Sequence, residues 1–424
     1  MLLAVLASAA ALVALAGRTG IDHPWRVVLG TLMFAVIYVA IGAVVGSLAG
    51  NPVNGTVIML FVWIFDVFFG PAMGAADRLA TRGLPTHFVT LWMVDLPSGH
   101  GGRPGDLGWA LTWTLAAIAA AWLLATTRTR TRALPHRSRL LHHSRVRRVR
   151  IRPADPSRLR AQLTAARRAA WRDARRNRVQ WVLFVVVPTV FILTADAVTP
   201  DKPITVTLRE QGRSLAQTVP MPAVHGATMA PIAIASLAAL VGLFVLLESR
   251  DGDRRAILAG LRPGALFSAR LGVLAVLAAA ATTVSLATTS LVFQPTRWPT
   301  YAAANLMLAL TYGLIGALLA PIFGRVGGVF IAFLLPFLDL GITQSPMLHA
   351  EPTSLSRLLP GYGGSRVLLD GALTRTWDET GPLLAGLAWL ATLAIAVALT
   401  YRHATRPASR TAHRRVPARL GRLA

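Results

Sequence analysis

Ten stretches of this chain are apolar over about the length a helix needs to cross a membrane. No other feature narrows the possible folds as much. Roughly 20 apolar residues span the hydrocarbon core, and in lipid the backbone polar groups must bond within the segment, as a helix does. The stretches run 2–16, 27–49, 53–72 and 108–126, then 180–195, 229–247, 267–293, 302–323, 327–344 and 381–400. Composition agrees: 54% of the 424 residues are hydrophobic and 14% are charged, against about 25% charged in soluble domains. The expectation is an all-α polytopic transmembrane bundle of ten spans. An ordinary soluble domain and a disordered chain are both excluded.

The net charge of +25 is unevenly placed. Residues 127–180 hold 18 Arg against Asp155 and Asp173, and residues 401–424 hold seven Arg and no acid. Cytoplasmic loops of membrane proteins are enriched in Lys and Arg. Both segments are therefore expected in the cytoplasm of a cell with a multi-pass inner membrane. The loops 76–107, 197–228 and 345–380 then fall outside, with four spans before the Arg-rich linker 131–179 and six after it. Contact with anionic membrane lipid accounts for the charge. No nucleic-acid-reading module accompanies it, so nucleic acid is not an expected partner. Met1–Gly17 has the length of a signal peptide but lacks a basic start, and the repeat described below makes it a span.

Several chemistries are absent. With no Cys, disulfides, thiolate metal sites and Cys nucleophiles drop out. The single Lys, Lys202, lies in Thr199-Pro200-Asp201-Lys202-Pro203, which is not the G-x-x-x-x-G-K-[ST] of a phosphate-binding loop. This chain is therefore not expected to bind ATP by a standard phosphate-binding loop. His142-His143 stands in the Arg-rich linker without metal-ligand spacing, and no G-x-S-x-G elbow occurs.

Shifting the chain by 274 residues superimposes two stretches. Leu32-Met33 falls on Leu306-Met307, Ala35 on Ala309, Tyr38 on Tyr312, and Ile41-Gly42-Ala43 on Ile315-Gly316-Ala317. Gly50 falls on Gly324 and, after a one-residue slip, Gly55 on Gly328 and Asp66 on Asp339. Trp25 also meets Trp298, and Pro85-Thr86 has a counterpart in Pro352-Thr353. Two parallel repeats are expected, 1–130 with four spans and 180–404 with six, followed by the tail 405–424. Parallel repeats are a transporter architecture. The first copy looks shortened by two leading spans, through fusion or through a start site placed too late.

Two segments outside the spans have readable patterns. Asp155 suits an N-cap and Pro156 the first helical position. Leu159, Leu163, Ala166, Ala170 and Ala174 then recur on one helical face. Arg168, Trp171, Arg172 and Arg175 lie among the remaining positions, giving a basic amphipathic helix of the kind that lies in a membrane interface. The second segment is Leu247-Glu248-Ser249-Arg250-Asp251-Gly252-Asp253-Arg254-Arg255, running to Pro263. Gly252 would permit a tight exit from the preceding span, and the charges are either solvated or docked on a partner.

In this order of features, residues 155–405 resemble an ABC-2 type transporter permease, and residues 1–130 resemble the last four spans of the same family. The resemblance rests on order and topology more than on motif. It implies an exporter subunit that performs no covalent chemistry and works with a separate ABC ATPase subunit, which would carry ATP and Mg. It makes 155–179 the connecting helix. It makes Glu248, Arg250, Asp251, Gly252, Arg254 and Arg255 a coupling loop that docks in the ATPase. The first copy has no such loop, so a second permease chain is a further candidate partner.

Asp66 and Asp339 remain. An ionised Asp at the centre of a membrane helix costs on the order of 2.5–3.5 kcal/mol. Either the pair lines a translocation path and recognises a cation, or each caps the outside helix that follows. In the first case a carrier driven by an ion gradient is the competing function; a non-transporting scaffold is the third class.

Overall fold

The computed structural model describes residues 23–48, scattered positions between 55 and 71 that include Asp66, and residues 81–93, 101–128, 156–349 and 351–405. The expected span 2–16, most of 53–72, and the N-cap Asp155 lie outside the described residues.

Seven of the described helices are long and apolar enough to cross a membrane, and the molecule is a membrane-embedded helical bundle. In the first half these are α1 (Pro24–Leu48) and α3 (Pro104–Arg128), with the short α2 (His87–Met93) packed between them. The second half opens with α4 (Pro156–Arg176) and the span α5 (Arg178–Val198). Next come strands β1 (Pro203–Glu210) and β2 (Arg213–Pro220), span α6 (Met221–Leu247), and the short α7 (Arg250–Leu258). Span α8 (Pro263–Thr289), the long α9 (Trp298–Pro336), α10 (Gly361–Leu373) and span α11 (Thr380–Thr405) complete the chain. The expected span 327–344 is only the short apolar piece Gly327–Thr343, which ends in a π-turn over Phe337–Thr343.

The spans sort their faces between protein and lipid. On α5, Phe184, Val187, Phe191 and Ala195 are buried while Val182, Val186, Val190 and Leu193 are exposed. That division follows the 3.6-residue period, and the exposed stripe is lipid-facing. α6 is buried almost throughout and forms the axis of the bundle. It runs parallel to α9: Tyr301 donates its hydroxyl to the carbonyl of Ala227 at 2.8 Å, and further along Gly242 lies against Gly313 and Gly316 against Ala239. Small residues let membrane helices approach this closely. A methyl group on Gly316 would overlap the Ala239 carbonyl, 2.6 Å from its carbon. Gly316→Ala is therefore expected to cost about 1–3 kcal/mol through overpacking. Gly272→Ala on α8, where a Cβ meets nothing within 4 Å, should be near neutral. Thermal denaturation of the detergent-solubilised protein checks the contrast.

α9 is two helical arms. Gly324, at φ +63°, breaks it in a backbone region that glycine enters without steric cost.

The loop 197–228, expected outside the membrane, holds the β-hairpin. Its register pairs Pro203 with Pro220 and Glu210 with Arg213. The two-residue turn Gln211-Gly212 has positive φ at both positions, 53° and 75°, the conformation that matches the twist of paired strands. Ile204, Val206 and Leu208 alternate with polar residues, and Val206 and Leu208 are buried.

Candidate functional site

At the Arg-rich end of the bundle, four helices meet at one carboxylate. Asp253 on α7 is 2% exposed. It accepts from Arg270 Nη2 at 2.9 Å and Nε at 3.5 Å, and from the Tyr401 hydroxyl at 2.9 Å. Arg270, one-tenth exposed, also reaches Asp173 on α4 at 3.2 Å. One charge cluster thus ties α7 to α8, α11 and α4. A buried Arg is tolerable where two carboxylates share its donors, since a charge left alone in a low-dielectric interior is costly. Gln162 of α4 adds a contact to the Gly260 carbonyl at 3.4 Å.

The local sequence explains the shape of α7. The chain leaves α6 without a turn: Glu248 and Ser249 stay in the right-handed helical region. Gly252 is thus not the exit from the span. It lies exposed inside α7, where a Cβ would meet nothing within 4 Å. The sharp turn comes after α7, at Gly260 (φ +99°). There Leu261 N–H bonds to Ala256 O and Gly260 N–H to Ile257 O, both at 3.0 Å, the paired closure of a helix by a left-handed glycine. Pro263 then starts α8.

The other residues singled out in the sequence lie around this cluster. Arg250, Asp251, Arg254 and Arg255 are exposed on α7. Glu248 is half-exposed, 3.9 Å from Arg325. On α4, Ala166, Ala170 and Ala174 are buried, and Arg168, Arg172 and Arg175 are exposed. Trp171 stands edge-on to Trp181 at 6.4 Å, which braces α4 against the start of α5. The residues that hold the cluster together (Asp173, Asp253, Arg270 and Tyr401) were not among the sequence candidates. Arg270 carried a usable signal, being a charge inside an apolar span.

Asp66 and Asp339 are far from that end and share one arrangement. Tyr38 donates its hydroxyl to Asp66 at 2.6 Å, and Tyr312 to Asp339 at 2.5 Å. Asp66 then accepts the Thr86 amide at 3.1 Å and the Thr86 hydroxyl at 2.7 Å. Asp339 accepts the Gly361 amide at 2.8 Å and Gln344 Nε2 at 3.1 Å. In both places a three-residue 3₁₀ turn, Thr81–Gly83 or Ser356–Leu358, runs into Leu-Pro and then into the bonded amide, just before α2 or α10. Pro360-Gly361, rather than Pro352-Thr353, stands at Asp339 as Pro85-Thr86 stands at Asp66. Both carboxylates are filled with donors, the arrangement of caps for the helices that follow.

The opposite end is closed by the hairpin. Asp378 accepts the amides of Gln211 at 2.7 Å and Gly212 at 3.1 Å, and the Thr376 hydroxyl at 2.9 Å. Arg366 bonds to Glu379 at 2.5 Å and to the Thr207 carbonyl at 3.2 Å, and Arg297 pairs with Asp370. The Thr376 hydroxyl foremost, then the two turn amides, hold the Asp378 carboxyl below the usual carboxylate range. A depressed folded value means docking is complete above the ordinary Asp pKa of about 3.9 and is lost as pH falls through the lowered one. The amide resonances of Gln211 and Gly212 should therefore titrate below the usual carboxylate range. In Asp378→Ala their hydrogen exchange should accelerate at neutral pH while α6 stays protected.

Among the described residues no group of three His, Asp or Glu could hold a metal ion. No protein-family model, no curated protein and no solved structure matches this chain.

Proposed function

We propose that this chain is the membrane permease subunit of an ABC-2 type exporter. It would lie in a bacterial inner membrane with the Arg-rich linker and tail in the cytoplasm, and work with a separate ATPase subunit. The observation that carries this reading is the mounting of α7. A short helix beyond the end of a span has its one buried acid, Asp253, clamped to α8 and α11, and through Arg270 to α4. It leaves Arg250, Asp251, Arg254 and Arg255 exposed. A loop that is merely solvated needs no such clamp; a lever that passes a partner's closure to three helices does. The ATPase would push on the exposed charges, and the cluster would move α4, α8 and α11 together.

The paired arrangements at Asp66 and Asp339 support two parallel repeats, one of four spans and one of six. The export direction follows from the family resemblance alone. The chain would carry no ATP, Mg or other cofactor itself.

The test is affinity purification of the tagged chain from native membranes in mild detergent, read by peptide mass spectrometry. Recovery of an ATPase with a phosphate-binding-loop peptide is expected, and its recovery should fall when Arg250, Arg254 and Arg255 are changed together to Ala. A folded chain that repeatedly purifies without any ATPase would overturn the proposal.

A further inference from the structure

Beside the Asp253 cluster lies a cavity of about 530 Å³ bounded by α4, the start of α5, the ends of α6 and α8, and α7. That is within the range of small-molecule sites, about 300–1,000 Å³. Its lining has three distinct parts. Phe244, Val273 and Leu277 make an apolar wall contributed by membrane-crossing helices. Arg176, Arg255 and Gln180 bring donors, and the Gln180 Nε2 amide is buried with no hydrogen-bond partner. Glu248 and Asp251 bring carboxylates. Arg270 also lines the cavity, but its guanidinium is already engaged by Asp173 and Asp253.

We propose that this cavity binds the headgroup of a phospholipid bearing both a phosphate and a primary amine, whose N–H donors the quaternary ammonium of phosphatidylcholine lacks, drawn from the leaflet on the Arg-rich side. The phosphate would take Arg176, Arg255 and the Gln180 amide, since charge-assisted contacts to phosphate oxygens are the strong ones. A buried donor left without a partner is costly, and a rotation of the Gln180 side chain into the cavity would bring it an acceptor oxygen. The ammonium would face Glu248 and Asp251. A bare phosphate leaves those two acids opposed to like charge, and an anionic lipid without an amine brings them no cation beyond the distant Arg325 of Glu248. The apolar wall suits the glycerol and first acyl carbons, which free phosphate does not have. The inference does not depend on the exporter reading; it needs only the cavity and the membrane.

The full chain, stripped of lipid in detergent, would be placed in phosphatidylcholine nanodiscs doped with either phosphatidylethanolamine or phosphatidylglycerol. Retained lipid is counted by native mass spectrometry. One phosphatidylethanolamine per chain should be retained at about one-tenth the concentration at which phosphatidylglycerol is retained, the scale of one lost charge-assisted contact. Arg176→Gln with Gln180→Leu should abolish the specific retention while helicity by circular dichroism is unchanged. If that pair fails to fold, Asp251→Asn alone should remove the preference for the amine lipid and leave total lipid retention intact. Equal retention by wild type and variants would overturn the proposal. So would a preference for phosphatidylglycerol, or displacement of the lipid by millimolar inorganic phosphate.

Discussion

Arg270→Met is expected to be the most damaging single substitution at the Arg-rich end of the bundle. It removes a cation with a side chain of similar length, so lost packing is small. What remains is Asp253, 2% exposed, stripped of both guanidinium contacts and left with one phenol hydroxyl. Taking one partner from a buried ion pair costs about 3–5 kcal/mol, because the other charge is left uncompensated. Asp173 loses its contact too, but its side chain is well exposed and water replaces the partner, so Asp173→Asn should cost little. The distinguishing variant is the double, Arg270→Met with Asp253→Asn. With both charges gone the penalty should largely disappear, and the double should be more stable than Arg270→Met alone. Thermal denaturation of the four proteins forms the cycle. If the double is no better than the single, Arg270 acts by packing, and the cluster is not an electrostatic tie. Transport separates stability from coupling: the double, though folded, should be slow, because α7 would have lost its hold on α8.

The bundle was legible in the sequence because span length and apolar period are local quantities. The face Ala166, Ala170 and Ala174 and the seven long apolar helices depend on nothing beyond a few turns of chain. The ion cluster depends on residues 97 and 148 positions apart, which no spacing rule connects. Asp253 was visible as one acid among several in 248–255. Only packing singles it out, since its neighbours Asp251 and Arg254 are exposed. Gly252 and Gly260 show the same limit in miniature. Both are glycines beside a short helix, and the choice between them turns on which one the chain bends at. The hairpin did have a local signal, Ile204, Val206 and Leu208 alternating up to Gln211-Gly212. The long apolar runs on either side outweighed it.

Asp339→Ala and Asp339→Asn should separate a structural carboxylate from a transporting one. The Ala variant strands two donors, the Tyr312 hydroxyl and the Gly361 amide, while Gln344 Nε2 keeps the Ser356 carbonyl at 2.8 Å. Tyr312 is fully buried and Gly361 is buried, and each unsatisfied donor costs about 1–3 kcal/mol. Tyr312 and Gly361 together set the expected loss at about 2–6 kcal/mol. Gly361 cannot move to recover a partner, because it already sits where a Cβ would meet Leu340 at 2.6 Å. The Asn variant keeps one oxygen in place for the Gly361 amide or the Tyr312 hydroxyl, so its loss should be less than half that of Ala. Asp66→Ala and Asp66→Asn should order the same way, because Thr86 and Tyr38 stand where Gly361 and Tyr312 do. A carrier driven by a proton or cation gradient makes the opposite demand. There the carboxylate must take up and release a proton or a cation in every cycle, and Asn should abolish transport as fully as Ala while the protein stays folded. Stability by thermal denaturation and transport in proteoliposomes, measured on the same four variants, therefore point in different directions under the two mechanisms. Near-normal transport in the folded Asn variants leaves Asp66 and Asp339 as caps for α2 and α10. Its complete loss in those variants would move the function to the ion gradient.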